Sequence, residues 1–581
     1  MAEPRVTIDL DIIERNARTV TEACARHGVS VFGVTKGTCG TPQVAAAMLR
    51  GGAFGIGESR FENIQRLRHS GLTCRILLLR SPPLSRVDET VTGADISLNS
   101  ELAVIEKLSR VAVRRSRIHD IILMVDLGDL REGIWPDDLL PTVARIVQLP
   151  GVRLVGLGTN LTCFGAVLPS EKNMGELAGY AAAVEAEFGV AMTYVSGGNS
   201  SSLPFLLEGR MPPGVNNLRI GESILQGGRD TFFDQPWEEL DRNAFLLEGE
   251  LLEVKVKPSV PIGDTDVDAF GGHPVFVDRG DRLRGILNLG REDVVVDALS
   301  PQTAGVEVLG ASSDHLIVDV TDMSPPPQVG DVLPFHMGYA ALLAAMTSEY
   351  VEKQLRFEKP LSRRERIYLF VEPGLKSVVD DLNLTSRFAA LGLSVAESHD
   401  DAITLRLASN HLQTADLLSE VAHAHGAAGL IWLDAGAGVM APDGPVVTPG
   451  SLSPENVVLV GTRGVTPEEA AEIRGTAVST FTIVEIDALS MAEVMRRAVR
   501  TAMNGTRGFI VSYHTSATDI PGRPEGAGGL SPRETHQAME AIAQAPGLLA
   551  LNVVGLDATA DSSANALVCD FIMSCLGQTI L

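Results

Sequence analysis

Between residues 31 and 221 the chain repeats one pattern eight times. A short apolar run reads as a strand, and in most repeats an amphipathic stretch that reads as a helix follows it. The runs are 31–36, 54–57, 75–79, 95–98, 121–126, 154–159, 192–196 and 217–221. Parallel strands need a crossover between them, and that crossover is usually helical. Eight such units therefore predict a closed (β/α)₈ barrel within an α/β chain. The stretch 42–50 begins as a helix should, with Thr41 at the N-cap and Pro42 at the first helical position; 175–188 is a second helical stretch. A barrel carries its chemistry at the C-terminal ends of its strands. Five strands here end in polar or glycine-rich runs: TKG, DLGDLREG, GTNLTC, SGGNSSS and RIGES. One such ending is ordinary turn chemistry. Five at one end of one barrel predict a site.

The barrel pattern occupies 1–234. From 235 to 351 the period changes to β-rich runs at 245–254, 284–289, 305–308 and 315–320, punctuated by Pro258, Pro261 and Pro325 to Pro327. That predicts a separate, mostly β domain. The charged stretch 352–366, EKQLRFEKPLSRRER, reads as a linker. Strand and helix alternate again over 367–581, with strands expected at 367–370, 429–433, 457–460, 480–486, 508–512 and 549–556, which gives a second α/β unit with its own parallel sheet.

Several function classes are excluded. Acidic residues outnumber basic ones, 73 to 48, for a net charge of −25. That argues against a nucleic-acid partner, which selects a basic face. The N-terminus lacks the basic and apolar regions of a secretory signal, and no apolar run of about 18 residues predicts a membrane span. The six cysteines form no CxxC pair, so neither a zinc knuckle nor a disulfide framework is indicated. A reducing cytoplasm is the expected compartment.

Lys36 closes the first strand in VFGVTKG. A lysine at a barrel mouth among apolar neighbours loses hydration, which lowers its pKa and favours the neutral amine that makes a Schiff base. A lysine reaching out to solvent is the simpler alternative. SGGNSSS follows the seventh strand, where glycines permit a backbone nest and hydroxyls can hold a phosphate. NLRIGES places Arg219 near the end of the eighth strand.

Residues 1–350 resemble the fold-type III pyridoxal-phosphate racemases of alanine-racemase type, most closely their ornithine racemase branch. The likeness runs through VTKG, VDLGDLREG, NLTCFG, SGGNSSS, RIGE, GASSDHLIVDVTD and MGYAALLAAMTSEYV. It implies that Lys36 carries pyridoxal 5′-phosphate, and that Ser200, Ser201, Gly221 and Tyr339 bind its phosphate. Arg219 then faces the pyridine nitrogen. A guanidinium does not give up its proton at ordinary pH, so that nitrogen stays unprotonated, which weakens the electron sink and favours proton exchange at Cα over transamination. Arg131 matches an arginine near the substrate carboxylate, where a planar fork binds bidentately; a plain ion pair is the alternative. Ser313 and Asp314, in SSDH, match substrate-contacting positions of the β domain. The family assembles composite sites across a homodimer.

Two departures bear on mechanism. Arg291, in GRED, replaces the family's catalytic tyrosine, and Asn160 replaces the histidine that stacks on the cofactor ring. Racemisation needs an acid/base on each face of Cα. Lys36 serves one face, and Arg291, Cys163, Asp293 and His315 stay open for the other.

Residues 367–581 resemble the ureohydrolases, arginase and agmatinase, through LASNHLQTADLL, LIWLDAGAGV, PENVVLVGTRG and FIVSYHTSATDIPGRPEGAGGLSPRE. The family's two-manganese motifs are eroded here. His411 and Asp434 match ligands, while Gly436, Gly438, His514 and Ser516 replace others, so no dinuclear metal site is expected. Together the two resemblances imply a racemase for ornithine or another basic amino acid, fused to a non-catalytic ureohydrolase-like domain. The alternatives are a different amino-acid substrate or pyridoxal reaction, a pyridoxal-phosphate-binding protein without turnover, and a working metallohydrolase.

Overall fold

The computed structural model describes residues 4–70, 72, 74–232, 235–356, 366–398, 402–411, 414–425, 428–436, 452–463, 465–521, 523, 526–559 and 562–578. The chain divides into two compact units, Met1–Arg68 with Thr73–Leu355, and His69–Leu72 with Arg356–Leu581.

In the first unit the N-terminal strand β1 (Arg5–Asp9) precedes a closed parallel barrel. Its strands are β2 (Ser30–Val34), β3 (Gly55–Glu58), β4 (Ile76–Leu78), β5 (Ile96–Asn99), β6 (His119–Met124), β7 (Val152–Gly158), β8 (Tyr194–Ser196) and β9 (Asn217–Ile220). All eight expected strands are present, each shifted by at most a few residues. β2 closes on β9 with Phe32 opposite Arg219 and Gly33 opposite Ile220. Phe32, Leu77, Leu98, Ile122, Met124 and Tyr194 fill the inside, so the lower barrel is packed and only its mouth is open to a ligand.

The helix Pro42–Arg50 forms as expected, but the Thr41 side chain does not cap it. Its hydroxyl turns back and donates to the Thr38 carbonyl at 2.6 Å. The Glu171–Phe188 helix starts four residues earlier than expected, because Ser170 and Asn173 form a reciprocal capping box.

The β domain is a sheet of β10 (Phe245–Pro258), β11 (Asp281–Leu287), β12 (Leu299–Pro301), β13 (Glu307–Ala311), β14 (Leu316–Asp319), β15 (Val332–Met337) and β16 (Glu352–Arg356), in the order β12-β15-β10-β11-β14-β13. β1 also belongs to it, pairing antiparallel with β10 from Arg5 opposite Glu248 to Ile8 opposite Phe245, and with β16. The first strand of the chain is thus part of the β domain and not of the barrel. β16 uses residues 352–356 of the stretch expected to be a linker; 357–365 and the domain limit at 234 lie outside the described residues.

The second unit is an eight-stranded parallel sheet. Its strands are β17 (Arg366–Val371), β18 (Ser394–Val395), β19 (Ile403–Leu407), β20 (Ala428–Leu433), β21 (Val457–Thr462), β22 (Ser479–Thr482), β23 (Gly508–His514) and β24 (Leu548–Val554), in the order β18-β17-β19-β24-β23-β20-β21-β22. The run expected as one strand over 480–486 ends at Thr482. There Thr482 and Glu485 form a capping box, and a helix, Ile483–Leu489, takes over. Among the described residues no helix is long and apolar enough to cross a membrane.

Candidate active site

A cavity of about 1050 Å³ opens where the barrel strands end. Lys36, Arg131, Asn160, Cys163, Ser200, Ser201, Arg219, Gly221 and Tyr339 all line it. Lys36 begins a single 3₁₀ turn directly after β2. Its side chain is exposed to the cavity yet walled in by protein, and this desolvation pushes the amine below the usual lysine range; Arg131 adds to the effect, while Cys163, Glu58 and Glu132 oppose it. The lower pKa enlarges the fraction of neutral amine near neutral pH.

Arg219 is 4% exposed. Its guanidinium donates to the Thr159 carbonyl at 2.7 Å and to the Ser196 hydroxyl. Complete burial pulls its pKa down to about 10, which still leaves it cationic at neutral pH. Ser200 and Ser201 lie in the loop after β8. The Ser200 hydroxyl accepts from the Ser223 amide at 3.3 Å, and the Ser201 and Thr162 hydroxyls lie 3.0 Å apart. Gly221 is needed for close approach, since a Cβ there would meet Val34 Cβ at 3.1 Å and the Val34 carbonyl at 3.2 Å. Tyr339 starts the helix Tyr339–Thr347, and burial pushes its phenol up to about 12.

Arg131 is paired with Glu132, which raises its pKa. Asn160 lies against the same guanidinium. With its amide oxygen turned inward it accepts from Arg131 Nη1 at 3.1 Å. The buried Asp129 carboxylate ties the loops after β6 and β7 together, accepting from the Phe164 and Gly165 amides at 3.0 and 3.1 Å. These residues fit pyridoxal phosphate. An amine of lowered pKa suits the aldehyde, paired hydroxyls and a glycine-opened backbone suit the phosphate, and a buried guanidinium suits an unprotonated ring nitrogen.

The remaining expected residues lie elsewhere, on the β domain, and none of them lines this cavity. Arg291 Nε donates to the Ala311 carbonyl at 3.0 Å, and its guanidinium sits 4.5 Å from the centre of the Phe270 ring. The turns GRED and SSDH are locked together. The Glu292 amide donates to the Ser313 carbonyl at 3.1 Å, and a Cβ on Gly290 would meet that same oxygen at 2.0 Å. The Ser313 hydroxyl donates to Asp314 at 3.0 Å. Asp293 is buried and His315 is exposed.

The sequence reading missed Glu58. It is fully buried at the end of β3 and accepts from Thr35 Oγ1 at 2.9 Å and from the Ser59 amide at 2.6 Å. Burial raises its pKa against these hydrogen bonds. The available signal was an acid closing an otherwise apolar strand, GIGE. Glu222, in RIGE, was quoted but given no role. Its carboxylate is consumed by Thr231 Oγ1 at 2.6 Å and the Asp230 amide at 3.0 Å.

In the second unit, Ser516 Oγ donates to Asp434 Oδ1 at 2.7 Å and lies 2.7 Å from His514 Nδ1. His411 Nε2 is 3.4 Å from Asp434 Oδ2, and its ring stacks on Trp432 and on His514. Burial pushes the Asp434 carboxyl up, but the His411 and Ser516 contacts and the nearby His514 outweigh it, so its pKa is lowered. Among the described residues no group of three or more His, Cys, Asp or Glu is placed to hold a metal ion. Gly438 lies outside the described residues.

Residues 8–227 match the alanine racemase N-terminal domain family, and residues 379–577 match the arginase family. Over 353 residues the chain is 40% identical to an ornithine racemase of Acetoanaerobium sticklandii, covering 61% of this chain and 99% of that protein. It is 42% identical over 353 residues to a lysine racemase of Thermotoga maritima, covering 61% and 98%. An alanine racemase structure from a D-cycloserine-producing Streptomyces lavendulae shares the fold of the same part, with a TM-score of 0.51 at 19% identity over 61% of this chain and 97% of that one. The chain belongs to the alanine racemase family, with an arginase-family domain following the racemase part.

Proposed function

We propose that the protein is a pyridoxal-phosphate-dependent racemase of ornithine or another basic amino acid, working as a homodimer in a reducing cytoplasm. One observation carries this reading: Lys36, Arg219 and the Ser200–Ser201 hydroxyls share one cavity in a chain about 40% identical to ornithine and lysine racemases. Pyridoxal phosphate, when bound, supplies the electron sink that acidifies the substrate Cα. Lys36 holds the cofactor, and its amine moves the proton on one face of Cα. Ser200, Ser201, Gly221 and Tyr339 hold the phosphate. Arg219, fixed by Thr159 and Ser196, keeps its proton and leaves the ring nitrogen unprotonated. Arg131 orients the substrate carboxylate, and Asn160 sets the angle of that guanidinium.

Arg291, Ser313 and Asp314 complete the site from the partner subunit, which accounts for their distance from their own chain's cavity. The second face of Cα needs a group other than Lys36, for which Cys163 and Arg291 are the candidates. The arginase-like domain is proposed to be non-catalytic, with roles in assembly or in sensing a cationic amino acid. Borohydride reduction followed by peptide mapping tests the cofactor assignment. The label is expected on Lys36; a label on another lysine, or none, overturns it.

A further inference from the structure

The reaction needs a group that takes or gives a proton on the face opposite Lys36, and the structure sorts the candidates. Asp293 is spent on a turn: its Oδ2 accepts from the Gly290 amide at 3.0 Å and its Oδ1 from Ser348 Oγ at 3.1 Å, with the side chain buried. His315 is exposed in the SSDH turn, where its backbone is bonded to Ser312 Oγ. Arg291 is held by Ala311 and Phe270 and, as a guanidinium, does not cycle its proton near neutral pH. Within the cavity, Glu222 is saturated, Glu132 is bound to Arg131, and Tyr339 is the residue assigned to the cofactor phosphate.

Cys163 differs from all of these. The sequence alone favours a small buried hydrophobe, as most free cysteines are. The structure instead exposes it in the wall of the cavity that holds Lys36. Its loop is pinned on both sides, by Thr162 Oγ1 donating to the Val167 carbonyl at 3.0 Å and by the Asp129 carboxylate on the amides of Phe164 and Gly165. Asn199 Nδ2, which also donates to the Leu161 carbonyl at 2.9 Å, points at the sulfur from 3.3 Å. Lys36, Arg131, Arg219 and Tyr339 line the same cavity, so the sulfur sits among the working groups of the site. The charged groups bearing on Lys36 itself are Cys163, Arg131, Glu58 and Glu132.

We infer that Cys163 is the acid/base on the face of Cα opposite Lys36, a role that rests on the racemase reading. In one direction the thiolate takes the Cα proton and becomes a thiol, while the Lys36 ammonium gives a proton to the other face and becomes an amine. The reverse direction starts from thiol and amine. The pair carries one proton before and after each turnover, and nothing is oxidised or reduced.

The test uses the full-length holoprotein, with D- and L-ornithine and D- and L-lysine in deuterium oxide. Cys163→Ala should keep the cofactor absorbance and lose racemisation by at least about a hundredfold, the scale of general acid–base catalysis. It should still exchange the Cα proton of one enantiomer, through Lys36, and not of the other. Cys163→Ser should behave alike. In the apoprotein, iodoacetamide should alkylate Cys163 and pyridoxal phosphate should slow that reaction, a readout independent of turnover. Near wild-type racemisation by either variant, or equal loss of exchange from both enantiomers with cofactor bound, overturns the role of Cys163 alone. Absence of exchange in the wild type with every substrate overturns the racemase reading as well.

Discussion

Ser516 Oγ donates to Asp434 Oδ1 at 2.7 Å, so a hydroxyl of the chain itself holds the carboxylate that in the resembled ureohydrolases would hold manganese. Paired metal ions need several charged or imidazole ligands. Here Gly436, Gly438, His514 and Ser516 stand at four of the positions, and the two glycines have no side chain to offer. The protein purified in added Mn²⁺ should carry less than one tightly held ion per chain and release no urea from arginine or agmatine. Metal analysis and a urea assay check this; two ions per chain with urea formed would restore the hydrolase reading.

The contacts around Asp434, with His411 first and then His514 and Ser516, predict a pH-dependent stability. The folded Asp434 carboxyl lies below its ordinary value of 3.8, so the stability it contributes is present above that value and is lost as pH falls through the folded pKa. Asp434→Asn should therefore lower the stability of the full chain by about 1–3 kcal/mol at neutral pH, as expected when buried partners lose a hydrogen bond. The difference from wild type should shrink in strong acid. Denaturant melts at several pH values measure it.

Glu58 predicts the opposite sign. Its folded pKa is raised above 4.5, so its effect on stability is most favourable below that value and declines as pH rises through the folded pKa. Glu58→Gln should remove that decline. It should also remove a negative charge that raises the Lys36 amine, so the pH at which Lys36 becomes reactive toward pyridoxal phosphate should move down. Thr35→Val, which deletes the contact and keeps the charge, should move it little.

Arg219 anchors two buried oxygens, Thr159 O and Ser196 Oγ. Arg219→Ala removes the guanidinium from the Thr159 carbonyl, at about 1–3 kcal/mol for a buried group that loses its partner, while the Ser196 hydroxyl keeps its bond to Asn217 Oδ1 at 2.7 Å. A lower melting temperature and weaker cofactor retention are expected, read by calorimetry and by absorbance after dialysis.

Composite sites predict complementation. Mixed Lys36→Ala and Arg291→Ala chains form heterodimers in which one site inherits both defects and the other none. Random pairing through a two-fold interface should restore about one quarter of wild-type activity. If both residues serve the same chain's site, mixing restores nothing.

The barrel was legible in the sequence because each strand is a short apolar run and the turns after it carry the polar residues. Lys36, Arg219 and the serine loop could therefore be placed by their position at strand ends. What escaped notice lacked that contrast. β19, ITLRL, is buried along its whole length, yet Thr404 and Arg406 break the apolar pattern, and Arg406 lies against Asn552 and Thr414 in the interior. β1 lay inside the stretch 1–234 expected to be barrel, and its pairing with β10, across more than 200 residues, leaves no local mark in the sequence. Glu58, and the choice of Cys163 among its four candidates, depend on which way a side chain faces and on what lies behind it, and a single chain of letters does not record either.

As proposed, the chain inverts Cα of a basic amino acid through Lys36. The most direct measurement is chiral chromatography of L-ornithine and L-lysine incubated with the purified protein and pyridoxal phosphate, alongside Lys36→Ala. The D enantiomer should accumulate toward equal amounts with the wild type and should not form with the variant. No D enantiomer from the wild type, or equal formation by both proteins, would contradict it.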